Sequence, residues 1–157
     1  MWMRLQNPVL DMYSRDIMFL IIHNIVANKE RVHRFRMTAS PNCTNCNVVQ
    51  DNVHMFCECS CVREAWFWLR QRLLSLLPAE ARITSNFEFL HLMFDSSTYE
   101  TEVVWLLGVY VKLVWEIIVC KKRNLSQNLI KPECQRKYQN QHFSNKPMLN
   151  HIVGLFD

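Results

Sequence analysis

Glycine and proline are scarce: of 157 residues, two are Gly and five are Pro. With half the residues hydrophobic, that scarcity excludes a collagenous chain, a turn-dense all-β chain and wholesale disorder. No run of like charge is long enough to mark off a second domain, and no internal repeat is visible. The opening residues lack the apolar run of a secretory signal, because Arg4, Gln6, Asn7, Asp11 and Arg15 interrupt them. An uninterrupted membrane span is missing as well. The most apolar stretch, Val103 to Cys120, contains Lys112 and Glu116, and both charges would fall near the middle of a bilayer. The expectation is an intracellular protein, cytoplasmic or nuclear, neither secreted nor embedded in a membrane. Eighteen Lys and Arg against fourteen Asp and Glu give a formal charge of +4, which permits contact with nucleic acid without requiring it.

What the chain does have is helical periodicity. From Ser14 to Phe35, Ile17, Phe19, Leu20, Ile21, Ile22, Ile25 and Val26 give a broad apolar surface, with Ser14 as the N-cap and Asp16 at the positive end of the dipole. Asn24 to Asn28 weaken the pattern, and Lys29 to Arg36 then read as a shorter charged helix, so the unit is a helix pair. Helical periodicity stops between Thr38 and Asp51 and resumes around Ser60. Val62, Ala65, Trp66, Leu69, Leu73, Leu76 and Leu77 then recur every three or four residues until Pro78. Ser85 caps a short apolar segment, Phe87 to Phe94, and a polar turn at Asp95 to Thr98 leads into a long helix from about Tyr99 to Arg123. Its face is Val103, Leu106, Leu107, Tyr110, Val114, Trp115 and Ile118, with Trp105 and Trp115 inward. The predicted fold is mainly α: a lead over 1–11, a helical domain over 12–124, and a polar, loose tail over 125–157, broken by Pro132 and Pro147, with a weak helical signal near Met148 to Phe156.

Five of the seven cysteines crowd between Cys43 and Cys61. Cys43 and Cys46 form C-x2-C, a spacing that lets a tight turn point two thiolates at one metal. His54 and Cys59 complete C-x2-C-x7-H-x4-C, four ligands of the kinds tetrahedral zinc prefers. Cys59 is preferred as the fourth ligand because it stands just outside the helix N-terminus. Cys57 is the substitute, needing a tighter H-x2-C turn, and Cys61 would put its sulfur inside the first helical turn. Four protein ligands leave no coordination position for water, so such a site is structural. Zinc held by so short a loop supplies about 10 kcal/mol or more of folding free energy, comparable to the net stability of a domain.

Further residues accompany these ligands: His23-Asn24, then Arg31, His33 and Arg34, then Phe56 within H-x-F-x-x-C, then Trp66. With them the chain resembles the zinc-binding region that follows the reverse transcriptase domain of non-LTR retrotransposons. That family typically shows His-Asn near a helix end, R-x-H-R, C-x2-C, H-x-F-x-x-C and a Trp opening the next helix. Its pattern selects Cys59 over Cys57. Val114 to Asn124 is similar to the W-x-x-R-N ending of related elements, so the resemblance covers roughly residues 12 to 124. Asp51-Asn52 replaces a common Glu-Thr, and Cys57 and Cys61 are additional.

The resemblance implies a zinc-stabilised accessory module that helps a reverse transcriptase hold the RNA or DNA of a mobile element, with the polymerase domain of the parent element as its partner. No paired-aspartate polymerase motif and no endonuclease constellation are present, so the chain reads as neither an enzyme nor a binder of a small-molecule substrate. Candidate nucleic-acid contacts are Arg31, Arg34 and Arg36 before the knuckle, Arg63 and Trp68 after it, and Lys121, Lys122 and Arg123 at the end of the long helix. Trp66 is read as core, and His23 and His33 as structural. The competing expectation is a structural or protein-interaction helical domain whose zinc only locks a loop.

Overall fold

The computed structural model of the protein describes residues 2–78, 85–93, 100–119 and 129–141. Among them the fold is mainly helical, and the one extended pairing is an isolated antiparallel bridge between Asn42 and Val49. The helices are α1 (Trp2–Leu5), α2 (Met12–Ile22), α3 (Lys29–Arg34), α4 (Arg63–Leu76), α5 (Asn86–Leu90), α6 (Glu100–Val114) and α7 (Ile130–Asn140). A π-helical turn, His54–Glu58, precedes α4, and another, Trp115–Val119, prolongs α6.

The helix pair forms as the pattern predicts, but α2 is capped one turn earlier. Asp11 is the N-cap and accepts from the Ser14 N–H at 3.0 Å, while the Ser14 hydroxyl is buried and donates to the same carboxylate at 2.8 Å. A carboxylate there satisfies an orphan donor and suits the dipole, so it outcompetes a hydroxyl three residues on. After α2 the chain turns at Asn24, whose φ of 51° ends the helix, and Asn28 caps α3 through the Arg31 N–H. No residue of α3 is buried, and Phe35, which caps its C-terminus, is 65% exposed.

The core is organised around α6, which packs against α2, α4 and α7. Its apolar face is broad: Val103, Val104, Leu106, Leu107, Tyr110, Val111 and Val114 are all buried. Trp105, Trp115 and Ile118, expected on one inner face, are half-buried at its margin. Gly108 lets α2 and the preceding segment approach, since a Cβ there would stand 2.4 Å from Leu10 Cδ2. The opening segment joins this core through Leu5 and Leu10, and Arg4 ties α1 down by donating to Glu100 at 3.0 Å and to the Leu92 carbonyl at 2.8 Å. On α4 the buried stripe is Ala65, Trp66, Leu69, Leu73 and Leu76, as its spacing predicts. Ser85 caps α5 in a reciprocal capping box with Glu88. No helix among the described residues is long and apolar enough to cross a membrane.

The segment expected to be loose after Asn124 contains α7, which packs on α4 and α6. Ile130, Cys134 and Tyr138, spaced four apart in a polar sequence, are buried. Pro132 does not break this helix, because the first turn has N–H groups without intrahelical partners and a proline removes none that is used. The Tyr138 hydroxyl donates to buried Glu102 on α6 and accepts from Arg72 on α4, joining three helices at one point. The polar turn at Asp95 to Thr98, the helix end at 120–123 and the segment near Met148 to Phe156 lie outside the described residues.

Candidate metal centre

Three short hydrogen-bonded pieces build the site. The first is the turn carrying Cys43 and Cys46. Cys43 N–H donates to the Val48 carbonyl at 2.8 Å, Asn47 N–H donates to the Cys43 carbonyl at 2.9 Å, and Asn47 adopts a φ of 56°. Asparagine tolerates that left-handed conformation, which folds the loop back so that both sulfurs face one side. The second is the π-helical turn, opened by Asp51 accepting from the His54 N–H at 2.7 Å and closed by Cys59 N–H donating to the His54 carbonyl at 2.8 Å. The third is the Ser60 to Val62 turn, which delays α4 to Arg63.

That delay differs from a helix resuming at Ser60, and its reason is visible at the sulfurs. Ser60 N–H donates to Cys46 Sγ at 3.3 Å, with the Ser60 hydroxyl also 3.3 Å away, and Cys61 N–H is directed at the Cys59 sulfur. A continuous helix would have committed these N–H groups to its own carbonyls or left them along its axis. Cys61 therefore sits before the helix, where its sulfur accepts from Asn45 Nδ2 at 2.8 Å.

The result is convergence of the four residues the spacing singles out. The ligand atoms of Cys43, Cys46, His54 and Cys59 all lie within 4.8 Å of one another, and three of these residues are buried. Cys59 Sγ stands 3.8 Å from Cys43 Sγ and 3.9 Å from Cys46 Sγ. A tetrahedron with zinc–sulfur arms of about 2.3 Å has edges of about 3.8 Å, whereas a disulfide requires about 2.05 Å. The six described cysteines are free thiols. Buried His54 Nε2 has no hydrogen-bond partner, an unmet demand that a metal ion would satisfy. Cys57, the substitute ligand, is 1% exposed and packs in the hydrophobic core, outside the four.

The electrostatics of the thiols point the same way. Burial and the neighbouring Cys43 and Cys61 push the Cys59 thiol up to about 12, although the Cys61 N–H opposes them. The Ser60 hydroxyl and N–H pull Cys46 below the ordinary thiol value. Burial, with Glu58 and Asp51 nearby, drives Cys57 well above that value. Several thiolates this close repel one another unless a cation sits among them, and a bound dication deprotonates its thiols.

A frame behind the site fixes it to the helices. Asn28 Nδ2 donates to Asn52 Oδ1 at 2.7 Å, and Asn52 Nδ2 reaches Asn24 Oδ1 at 3.1 Å and the Ile21 carbonyl at 3.4 Å. Gln50 accepts from Lys29 N–H through its side chain and from Glu30 N–H through its carbonyl, both at 3.2 Å. Tyr110, wholly buried on α6, donates to the Phe56 carbonyl at 2.6 Å and so pins the π-helical turn to the core. Sequence reasoning missed Asn28, Asn52 and Tyr110; the signal for the first two was a pair of polar residues at buried positions.

The described candidate nucleic-acid residues have different local settings. Arg31 donates to the Asn24 carbonyl at 2.8 Å and lies over the Phe35 ring, and Arg34 pairs with Glu30 on its own helix. Arg36 and Arg63 are exposed. Trp68 is half-buried against the core, because it shares a stripe with Glu64 and Arg72, both of which bond to α7. The exposed aromatic of α4 is Phe67, at 62%. Lys121, Lys122 and Arg123 lie outside the described residues. His33 Nδ1–H donates to the Thr38 carbonyl at 2.9 Å, and the His23 ring lies tilted against Phe19, contacts that suit a structural reading. Compared with known proteins, the chain matches no family model, no curated protein and no solved structure.

Proposed function

We propose that the chain is a zinc-stabilised accessory module of a retrotransposon reverse transcriptase that helps the polymerase hold RNA or DNA. The observation that carries the zinc half is the sulfur spacing of 3.8 and 3.9 Å around Cys59, beside an unpartnered His54 Nε2. Soft thiolates with one imidazole favour zinc over hard cations, and four protein ligands give a closed, structural site. Support for the family reading comes from what its other residues do: Arg31 holds the Asn24 carbonyl, Phe56 is wholly buried, and Trp66 packs beside Tyr110. Arg31 thereby ties α3 to the end of α2, while Phe56 and Trp66 share Tyr110 as a neighbour.

When bound, zinc would neutralise the thiolates and lock the Cys43–Cys46 turn to the π-helical turn. The chain's own residues orient that lock through Asp51, Ser60 and Tyr110. The test is RNA affinity of the zinc-loaded protein across a salt series. Binding that weakens linearly on a logarithmic salt scale, by about 0.7 per phosphate contacted, supports nucleic-acid contact. A stable complex with a polymerase domain, without RNA binding, would replace it with the protein-interaction reading.

A further inference from the structure

An open groove of about 740 Å³ lies between α4 and the start of α5, on the side of the knuckle away from α7. Arg63, Phe67 and Arg70 occupy one stripe of α4, and Phe87 faces them from α5. Buried Trp66 fixes the spacing of the two walls by donating its indole N–H to Asn86 Oδ1 at 2.9 Å. The groove presents two aromatic rings to solvent. Phe67 is 62% exposed and Phe87 49%, although a folded chain ordinarily buries both.

Two features select the occupant. Phe87 already stacks on buried His91, with ring centroids 3.8 Å apart and planes 23° from parallel, which holds the ring rigid while half its surface stays open. A fixed aromatic face with its outer side free is what a base stacks on. The charge on the walls is cationic in balance: Arg63 and Arg70 form no ion pair among the described residues, and Glu58 is the carboxylate on the lining. The two arginines stand seven positions apart, about 10 Å along the helix, with Phe67 between them.

We infer that this groove binds single-stranded nucleic acid, with bases stacked on Phe67 and Phe87 and phosphates held by Arg63 and Arg70. The inference rests on the nucleic-acid half of the proposed function and gives it a location and a strand state. Single strands fit because their base faces are free, whereas a duplex has already stacked its own. Arg63 thereby keeps the role its sequence position suggested, while Phe67 takes the one expected of Trp68.

The test uses zinc-loaded full-length protein and fluorescein-labelled oligouridine, read by anisotropy, with Phe67→Ala/Phe87→Ala and Arg63→Gln/Arg70→Gln as variants. Both sites are at the surface, and unchanged melting of each variant verifies the fold. The phenylalanine pair should weaken binding about tenfold or more with the salt slope unchanged, since no phosphate contact is lost. The arginine pair should flatten the slope by about 1.4. Wild-type affinity for oligouridine with neither variant altered would overturn the groove and leave nucleic-acid binding standing elsewhere on the surface. Equal affinity for duplex and single strand would overturn the strand assignment. No binding of any probe by wild type would overturn both the groove and the nucleic-acid half of the function.

Discussion

Tyr110→Phe removes one oxygen atom that touches none of the four ligand side chains directly but holds the turn between two of them, and it should weaken metal binding. The hydroxyl is wholly buried and donates to the Phe56 carbonyl at 2.6 Å, in the middle of the π-helical turn that begins with His54 and ends beside Cys59. The phenylalanine ring keeps the packing against Trp66, at 5.5 Å between centroids, so the perturbation is confined to the carbonyl. A buried acceptor stripped of its partner costs about 1–3 kcal/mol. If ordering of the knuckle and metal uptake are one event, that cost is felt in the metal-bound state alone. It then appears as about five- to a hundredfold weaker affinity, at about 1.4 kcal/mol per factor of ten. Competition with a chromophoric chelator measures this directly, and urea unfolding of the metal-loaded proteins provides the matching stability. Equal affinity and equal unfolding midpoints would refute the positioning role. Lower stability with unchanged affinity would refute the coupling of metal uptake to ordering.

Other substitutions probe separate parts of the account. Cys43→Ser or His54→Ala should lose metal and local order together, whereas Cys61→Ser, whose sulfur meets Asn45 instead of the cluster, should lose neither; metal analysis with amide exchange separates the cases. Gly108→Val should destabilise by about 1–3 kcal/mol, because the added carbons collide with Leu10 and crowd Ser14, and an unchanged urea midpoint would contradict the close approach. Burial lowers the His91 pKa below 6.5, with the Phe87 carbonyl partly opposing it. Below pH 6.5 the unfolded chain therefore takes up a proton that the folded one refuses. The stability contribution is complete above 6.5 and declines as pH falls towards the folded value. Wild type should lose more stability than His91→Gln between neutral and acidic pH in zinc-saturated buffer, and parallel curves would exclude this histidine.

Much of the site was legible because metal ligation imposes short, local spacing. C-x2-C, the downstream histidine and the fourth cysteine can be read without knowing the fold, and the structure brings those four together. Helix α4 was legible for a similar reason, since its apolar stripe repeats within one element. Helix α7 was not. Three apolar residues spaced four apart in a polar stretch carry too little signal beside a proline, and their burial depends on α4 and α6, which are distant in sequence. That missed contact also displaced Trp68 from its expected exposure. The cap at Asp11, the turn that delays α4 and the Tyr110 anchor share one cause. Each is a hydrogen bond between particular atoms, decided by three-dimensional neighbours and not by hydrophobic periodicity.

The central claim is that Cys43, Cys46, His54 and Cys59 hold one metal ion. Elemental analysis of protein purified without chelator, repeated on Cys59→Ser, tests it most directly, because the Cys59 sulfur is the vertex shared by the two close sulfur pairs. One zinc per chain in wild type and its loss from Cys59→Ser is the predicted result. Well-folded wild-type protein without metal, or a variant that retains its zinc, would contradict the site.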